Sequence, residues 1–144
     1  HLRRTDARTR GVAMKLLDTD TCIGLLKGDD AVVASWRACA EQCALPSMVI
    51  GELYYGAFKS TIREEELKRV DRFLDILPEI KPSRRSMRRF GEIKAGLEQK
   101  GTRLADADII IASIAIEEGL PLVTGNVRHY SRIGGLEVEN WFLR

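Results

Sequence analysis

The sequence predicts an α/β sandwich with a parallel central sheet, and three observations support this prediction. Short apolar runs alternate with longer segments of helical periodicity along the chain. The apolar runs are continuous, as expected for strands that are covered on both faces. At 144 residues, with 44% hydrophobic and 31% charged residues, the chain has the size and composition of one globular domain. We therefore expect a single hydrophobic core.

Local signals place the elements of the first half. The run at 15–20 ends in polar residues, so it predicts a buried strand that delivers Asp18 at its carboxyl end. Ser47 is a suitable cap for the apolar helix that follows the second strand. The predicted elements are a strand at 15–20, a short helix around 23–26, a helix at about Asp30–Cys39, a strand at Cys43–Pro46 and a helix at about Ser47–Phe58.

The second half continues the alternation. Thr61 and Glu64 have the spacing of a capping box at the start of a helix. The segment Asp106–Glu118 has hardly any polar face and is predicted to be the buried spine of the domain. The other predicted elements are the helix that this box opens, with Leu67, Val70, Phe73 and Leu74 inward; a strand within 76–80; a helix that begins near Ser83, with Met87, Phe90, Ile93 and Leu97 inward; a strand at 122–124; and a short helix followed by a strand at 136–138.

The first thirteen residues differ from the rest of the chain. They lack both an apolar block of secretory length and a periodic pattern, so we expect 1–13 to be an extension or an added tail and 14–144 to be the single domain. Residues 1–13 hold four of the 23 basic residues and one of the 21 acidic ones. The domain itself then has 19 basic and 20 acidic residues, a balance that argues against non-specific coating of nucleic acid.

The cysteine content and the hydropathy predict a cytoplasmic protein. Cys22, Cys39 and Cys43 are odd in number and lack the CxxC spacing of a zinc site, which favours reduced thiols. No apolar run reaches the roughly 18 residues that a membrane span requires. We therefore expect no association with a membrane.

Three carboxylates stand where burial of a charge requires compensation. Asp18 ends a buried strand, Glu52 lies on the face of its helix that otherwise looks like core, and Asp108 opens the most apolar helix. Burying an ionised carboxylate without a partner costs several kcal/mol, so a shared counter-ion is the expected solution. Together with Asn126, which follows the strand at 122–124, these residues can meet at the carboxyl edge of one parallel sheet.

This set of side chains predicts a site for a hard cation. Oxygen ligands of this kind suit Mg²⁺ or Mn²⁺ better than zinc. An ion held by Asp18, Glu52 and Asp108 would polarise a phosphodiester and activate water for its hydrolysis. The sequence therefore predicts a metal-dependent nuclease, with Asn126 as a further catalytic residue.

Several of these residues also have structural explanations. Asp18 would fit a turn, and Glu52 would fit a pair with a buried Arg or a hydrogen bond to a Tyr. Asp106, taken alone, is better explained as the cap of the spine helix than as a catalytic group. His129 has no second His or Cys at ligand spacing, so a structural or surface role is favoured.

Arginines and tyrosines are the remaining candidates for contact with RNA. Tyr54 and Tyr55 are expected to be core or interface aromatics rather than platforms for bases. A solvated helix face is the simplest explanation of the arginines, and contact with RNA phosphates is the alternative. The arginines concerned lie opposite the apolar stripe of their helix and are Arg84, Arg85, Arg88 and Arg89.

Four segments occur in a characteristic order: LLDTDTCIGLL (16–26), SMVIGELYYGA (47–57), DIIIAS (108–113) and LVTGNVRHYSRIGGLEVENW (122–141). In this order and spacing they resemble the PIN-domain family, and within it the bacterial and archaeal VapC-type toxins of toxin–antitoxin pairs. Asp18, Glu52 and Asp108 match the family's three acidic positions, and Asn126 falls where members carry Asp or Asn. The family's first motif commonly reads DTN, whereas this chain has Asp20, which adds negative charge near the metal.

The resemblance implies a three-layer α/β/α sandwich that hydrolyses RNA phosphodiester bonds with at least one Mg²⁺ or Mn²⁺ ion. It further implies a homodimer, inhibition by a cognate antitoxin, and support of the metal ligands from outside by Thr124, Asp106 and Asp20. Such an antitoxin would cover the acidic groove with a helix or a basic side chain. A suitable docking or dimer surface is formed by three aromatic residues, Tyr54, Tyr55 and Phe58.

Two other functions are compatible with an acidic cluster on this fold. A phosphoacceptor signalling domain also gathers Asp residues around Mg²⁺, but it needs a Lys near a strand end, and the sequence offers no clear candidate. Labelling by a phosphoryl donor without RNA cleavage would identify it. A non-catalytic nucleic-acid or protein-binding module would bind RNA without metal or turnover. A dinucleotide-binding enzyme is disfavoured, since no GxGxxG follows the first strand.

Overall fold

A computed structural model describes residues 14–143, and the predicted extension at 1–13 lies outside them. Within the described residues, five short strands form one sheet in the order β3-β2-β1-β4-β5, and every neighbouring pair is parallel. This confirms the predicted α/β sandwich. The strands are β1 (Lys15–Leu17), β2 (Cys43–Pro46), β3 (Glu79–Ile80), β4 (Leu122–Val123) and β5 (Val138–Glu139).

Helices connect the strands and cover the sheet. Because parallel crossovers are right-handed, the chain covers one face on its way from β1 to β3 and the other face on its way back to β4 and β5. The sheet therefore lies between two layers of helices, as the predicted three-layer sandwich requires. No helix of the described part of the chain is both long and apolar enough to span a bilayer. The helices are α1 (Thr19–Lys27), α2 (Asp30–Cys39), α3 (Ser47–Phe58), α4 (Arg63–Asp75), α5 (Arg84–Gln99), α6 (Asp106–Glu118) and α7 (Val127–Tyr130).

Helix α6 is the buried spine that the sequence predicts. The Ser113 hydroxyl donates to the Ile109 carbonyl at 2.7 Å, so this polar side chain is buried without an unpaired group. The helix ends at Gly119, whose φ of 68° lets its N–H donate to the carbonyls of the last turn. The chain then turns directly into β4. The buried residues of α6 are Ile109, Ile111, Ala112, Ser113, Ile114 and Ala115.

The first strand is shorter than predicted, and the first helix is longer. Strand β1 ends at Leu17 because Asp18 has the extended backbone of an N-cap, and its carboxylate accepts a hydrogen bond from the Thr19 N–H. Helix α1 therefore begins at Thr19, before the segment predicted at 23–26. The consequence for the site is that one residue both ends a strand and begins a helix.

The predicted capping box of α4 is wrong. Helix α4 begins after Ile62 without a side-chain cap, and the Ile62 N–H donates to the Ser60 hydroxyl instead. A capping box occurs at the start of α5, where Ser83 and Ser86 exchange hydrogen bonds between side chain and backbone. The inward orientation predicted for Met87 is also wrong, because Ser86 takes the buried position of that turn and Met87 is 41% exposed.

Candidate active site

The carboxyl ends of β1 and β4 meet where the strand order reverses. The chain leaves β1 towards β2 and leaves β4 towards β5, so the two connections diverge and open a crevice between them. Parallel α/β sheets bind ligands at such a point. Asp18 directly follows β1 and Thr124 directly follows β4, so the local order of strand and polar residue brings both side chains to this crevice.

Asp18 is buried at the base of the crevice, with 7% of its surface exposed. One carboxylate oxygen accepts from the Thr19 N–H at 2.8 Å, and the other accepts from the Thr124 hydroxyl at 2.8 Å. Burial nevertheless raises the pKa of Asp18 to about 6, and the negative charges of Asp20 and Asp108 act in the same direction. These contacts include no cationic side chain, so a bound cation would favour the ionised carboxylate.

Asp20 ties helix α1 to the loop after β4. Its Oδ2 accepts from the Gly125 N–H at 2.9 Å, and its Oδ1 lies 3.3 Å from the Thr124 hydroxyl. That hydroxyl has one proton, which the shorter contact assigns to Asp18, and its oxygen accepts from the Asn126 N–H at 3.0 Å. Thr124 thus contacts Asp18 directly and Asp20 lies next to this contact, and their role in supporting a metal site stays a prediction.

Glu52 lies at the rim of the crevice rather than inside it. The prediction that it shares the inward face of its helix is wrong, because α3 buries Val49, Leu53 and Ala57 and leaves Glu52 exposed. Its Oε1 accepts from the Thr19 hydroxyl at 2.6 Å. The predicted alternatives, an Arg partner or a Tyr partner, are replaced by this contact between α3 and α1.

Asp108 occupies the first turn of α6 and is held by two residues of α7. Its Oδ2 lies 2.8 Å from Nε2 of His129, and its Oδ1 accepts from the Tyr130 hydroxyl at 3.4 Å. An ionised carboxylate only accepts, so Nε2 of His129 carries the hydrogen. Burial, together with the charges of Asp18 and Asp108, raises the pKa of Tyr130 far above its usual range, which keeps its hydroxyl protonated.

The acidic side chains border one open cavity of about 550 Å³. Four carboxylates and one amide face this space, and its described lining contains neither Lys nor Arg. Negative charge is therefore concentrated without a fixed counter-ion, and a divalent cation would neutralise it. The lining residues are Asp18, Thr19, Asp20, Ile23, Glu52, Asp108, Gly125, Asn126 and Phe142.

The donor set suits Mg²⁺ or Mn²⁺. Among residues 14–143, no three acidic, His or Cys side chains are close enough to form a ready-made metal cage. Mg²⁺ commonly keeps several waters and binds one or two carboxylates directly, so it does not need such a cage. Asp18 is buried and Asp108 is half-buried, whereas Glu52 and Asn126 are exposed, so the first two are the more enclosed of the candidate ligands.

Asp106 lies outside this group. Its Oδ1 forms an ion pair with Nζ of Lys94 at 3.0 Å, and it borders a different cavity. The capping position of α6 is Ala105, and Asp106 is the first residue of the helix. The geometry therefore supports neither the predicted cap nor the predicted contact with the metal ligands.

The four arginines of α5 lie mostly on a solvated face, as predicted. Arg84, Arg85 and Arg88 are exposed, and Arg89 is half-buried. Arg85 and Arg89 pair with Glu117 of α6 at 3.2 and 2.7 Å, and Arg89 also contacts Glu92 of its own helix. Contact of any of the four with RNA stays a prediction.

Sequence reasoning missed four side chains of the site. His129 and Tyr130 lie on the short helix that Asn126 precedes, so the sequence places them near the sheet edge but does not indicate their contact with Asp108. Thr19 follows Asp18 in the sequence, but nothing in the sequence indicates that its hydroxyl donates to Glu52. Phe142 has no local signal, because its place depends on how the chain returns after β5.

The fold and the acidic crevice are those of a PIN domain. Residues 15–136 match the family model described as PIN domain, and the chain belongs to the PIN-domain family. It is similar to a Ribonuclease VapC2 of Rickettsia felis, 36% identical over 129 residues that span 88% of this chain and 96% of that protein. It is also similar to a tRNA(fMet)-specific endonuclease VapC of Salmonella typhimurium, 33% identical over 127 residues with the same coverage.

A solved structure agrees with this assignment. The chain is similar to one in the crystal structure of VapBC2 from Rickettsia felis bound to a DNA fragment from their promoter, with a TM-score of 0.83 and 35% identity. The similarity covers 89% of this chain and 98% of that one. The predicted family and the predicted fold are both confirmed.

Proposed function

We propose that this chain is a Mg²⁺- or Mn²⁺-dependent endoribonuclease and the toxin of a toxin–antitoxin pair. One observation carries the proposal: Asp18, Glu52 and Asp108, from three separate elements, border one cavity that has no fixed cation in its described lining. The names of the Rickettsia and Salmonella relatives support RNA as the substrate.

Each side chain has a defined part in the proposed reaction. A divalent ion bound by the carboxylates would polarise the scissile phosphodiester and activate water. The Thr124 hydroxyl orients Asp18, and His129 orients Asp108, as partners of metal-binding carboxylates commonly do. Tyr130 is fully buried and its hydroxyl donates to Oδ1 of Asp108, so it would keep water from that side of the carboxylate.

The rim of the cavity would bind the RNA strand. The Thr19 hydroxyl holds one oxygen of Glu52 and leaves the other for a proton or a bound ion. Asn126 also lines the cavity and is exposed, so its amide N–H₂ would donate to a phosphate oxygen. These two residues would position the phosphate over the buried carboxylates.

The partner of this toxin would be a protein antitoxin that covers the cavity. A basic side chain would pair with the unneutralised carboxylates. Tyr55 and Phe58 are 65% and 54% exposed on α3, the helix that carries Glu52, and suit a docking or dimer surface. Tyr54 differs, because its hydroxyl donates to Asp71 at 2.5 Å and joins α3 to α4. The homodimer and the cytoplasmic location stay predictions.

Incubation with total RNA and with tRNA(fMet) tests the proposed activity. We expect cleavage with Mg²⁺ or Mn²⁺ that EDTA abolishes and that Asp108→Asn reduces at least about 100-fold, since even indirect partners of a metal cost 10- to 100-fold. Asp106→Asn is the matched control: it removes a carboxylate from the same helix turn but outside the cavity, and should keep full activity.

The results separate the competing functions. Cleavage that survives both EDTA and Asp108→Asn would contradict the proposal. Tight RNA binding that needs no metal and gives no cleavage would indicate a binding module, and labelling of Asp18 by a phosphoryl donor would indicate a signalling domain. The described cavity lining has no Lys for that last chemistry.

A further inference from the structure

A second cavity of about 500 Å³ adjoins the acidic one. Three residues, Asp20, Ile23 and Phe142, line both spaces and form the wall between them. Ile23 is 39% exposed, so this wall presents apolar surface to solvent directly beside the carboxylates.

The Phe142 ring has a fixed seat. A Cβ at Gly125 would lie 2.8 Å from Cδ2 of Phe142, and a Cβ at Gly24 would lie 3.2 Å from Cε1 and Cζ. The ring can therefore lie between α1 and the loop after β4 only because both positions are glycine. The Phe142 N–H also donates to the Asn140 side chain at 2.8 Å, which fixes the backbone behind the ring.

The second cavity differs from the acidic one in having a cationic side chain, Lys27, in its lining. Asp20 and Asp29 line it as well, and the Asp29 carboxylate accepts from the Val32 N–H at 3.1 Å. From one cavity to the other, the surface thus offers a group of carboxylates suited to a cation, the Phe142 ring and then the Lys27 ammonium group. Single-stranded RNA has a matching order of groups, because each base along the strand lies between two phosphates.

We propose that Phe142, with Ile23 beside it, is a stacking platform for the nucleobase next to the scissile phosphodiester, and that Lys27 contacts the following phosphate. The inference rests on the proposed ribonuclease function and adds a base-binding subsite to it. Single-stranded RNA is commonly held by stacking of unpaired bases on aromatic side chains. A leucine side chain at position 142 would occupy much of the same space but has no flat face on which a base could stack.

Binding of a short oligoribonucleotide measures this subsite without turnover. Each base flanking the cleavage site is replaced in turn by an abasic residue, and affinities are compared for Asp108→Asn protein with and without Phe142→Leu. Phe142→Leu should weaken binding of intact RNA roughly 5- to 100-fold. At one flanking position, the abasic RNA should bind both proteins equally weakly. Phe142→Tyr should restore the affinity.

Two controls separate stacking from other effects. Leu143→Ala alters a neighbouring apolar side chain that is 72% exposed and lines neither cavity, and should leave RNA affinity unchanged. Lys27→Ala should weaken intact and abasic RNA by the same factor, because a phosphate contact is independent of the base. Thermal unfolding of each variant shows whether the fold is retained.

The outcomes are decisive in both directions. If Phe142→Leu weakens binding of intact RNA but not of the abasic RNA, the subsite is supported. Unchanged affinity of the Phe142→Leu protein, or an equal loss of affinity for intact and abasic RNA, overturns the proposed subsite. The second cavity would then be better explained as a binding place for an apolar side chain of a protein partner. Because binding is measured without cleavage, failure of this subsite and failure of the ribonuclease activity are separate results.

Discussion

The two ends of helix α6 carry acidic side chains in opposite electrostatic surroundings. At the last turn, Glu117 accepts from Nε of Arg89 at 2.7 Å and also pairs with Arg85, so its charge is neutralised within the fold. At the first turn, Asp108 faces Asp18 across a cavity whose described lining has no cationic side chain. The two carboxylates therefore have the same chemistry but different available partners.

The pKa shifts follow this difference. Hydrogen bonding to Arg89 lowers the pKa of Glu117, because the charged form is stabilised. Burial raises the pKa of Asp18, because desolvation disfavours its charged form and the charges of Asp20 and Asp108 add to this effect. A carboxylate that is already paired contributes to the packing of two helices, whereas one that is unpaired and buried lowers stability until something binds it. Such a residue is a strong candidate for function.

Asp18→Asn should produce the largest change, and it should stabilise the metal-free protein. Since the pKa of Asp18 in the folded state, about 6, lies above the ordinary 3.8, folding binds a proton between these values and loses stability as the pH rises through them. The cost in stability is complete above about pH 7 and amounts to roughly 3 kcal/mol. Urea unfolding at pH 7.5 in EDTA should show much of that gain for Asp18→Asn.

Urea unfolding of the same two proteins at low pH is the control for this prediction. Below about pH 3, Asp18 is largely protonated in both states, so the stabilisation of the variant seen at pH 7.5 should disappear. A destabilised Asp18→Asn variant at pH 7.5 would mean that the two hydrogen bonds to this carboxylate outweigh its burial, which would contradict the account of the acidic end.

His129→Ala should have an intermediate effect, on metal affinity rather than on folding. Loss of the 2.8 Å contact frees Asp108 to rotate, and Mn²⁺ affinity should fall about 10-fold, the lower end of the usual range, because the Tyr130 hydroxyl still holds the other oxygen. Calorimetric titration measures this. His129→Gln, which retains an N–H donor, should recover part of the affinity; equal affinities for all three proteins would exclude a positioning role.

Glu117→Gln should have the smallest effect and should concern stability alone. The lowered pKa means that its stabilising contribution is present above the unfolded value of about 4.5 and disappears as the pH falls. Thermal unfolding at neutral pH should therefore show a small loss, and Mn²⁺ affinity and RNA cleavage should be unchanged. A loss of metal binding in this variant would show that the two ends of α6 are not independent.

Much of the fold was predictable because its signals are local. The alternation of apolar runs and helical stripes gave α2, α3, α6 and β2 with the observed bounds, and the apolar surface of α6 identified the spine. The errors occurred where a single polar residue decides a boundary. Asp18 caps α1 and so ends β1 early, and Ser83 rather than Thr61 begins a capping box. Propensity alone does not select among such caps.

The candidate site was predictable only in part. Asp18, Asp108 and Asn126 follow from their places after strands and at a helix start, which parallel topology brings to one edge. The orientation of Glu52 was not predictable, since α3 is apolar on several sides and only its packing against α4 and α6 selects the buried face. The partners of Asp108 were missed for a related reason: His129 and Tyr130 reach it through the tertiary return of α7 to α6.

Direct titration with Mn²⁺ at pH 7.5, followed by calorimetry, tests the central claim that the acidic cavity binds a divalent cation. The unchanged protein and Glu117→Gln should bind at least one ion with equal affinity, whereas Asp18→Asn and Asp108→Asn should bind it at least about 10-fold more weakly. Equal affinity in all four proteins, or no binding by the unchanged protein, would contradict the account.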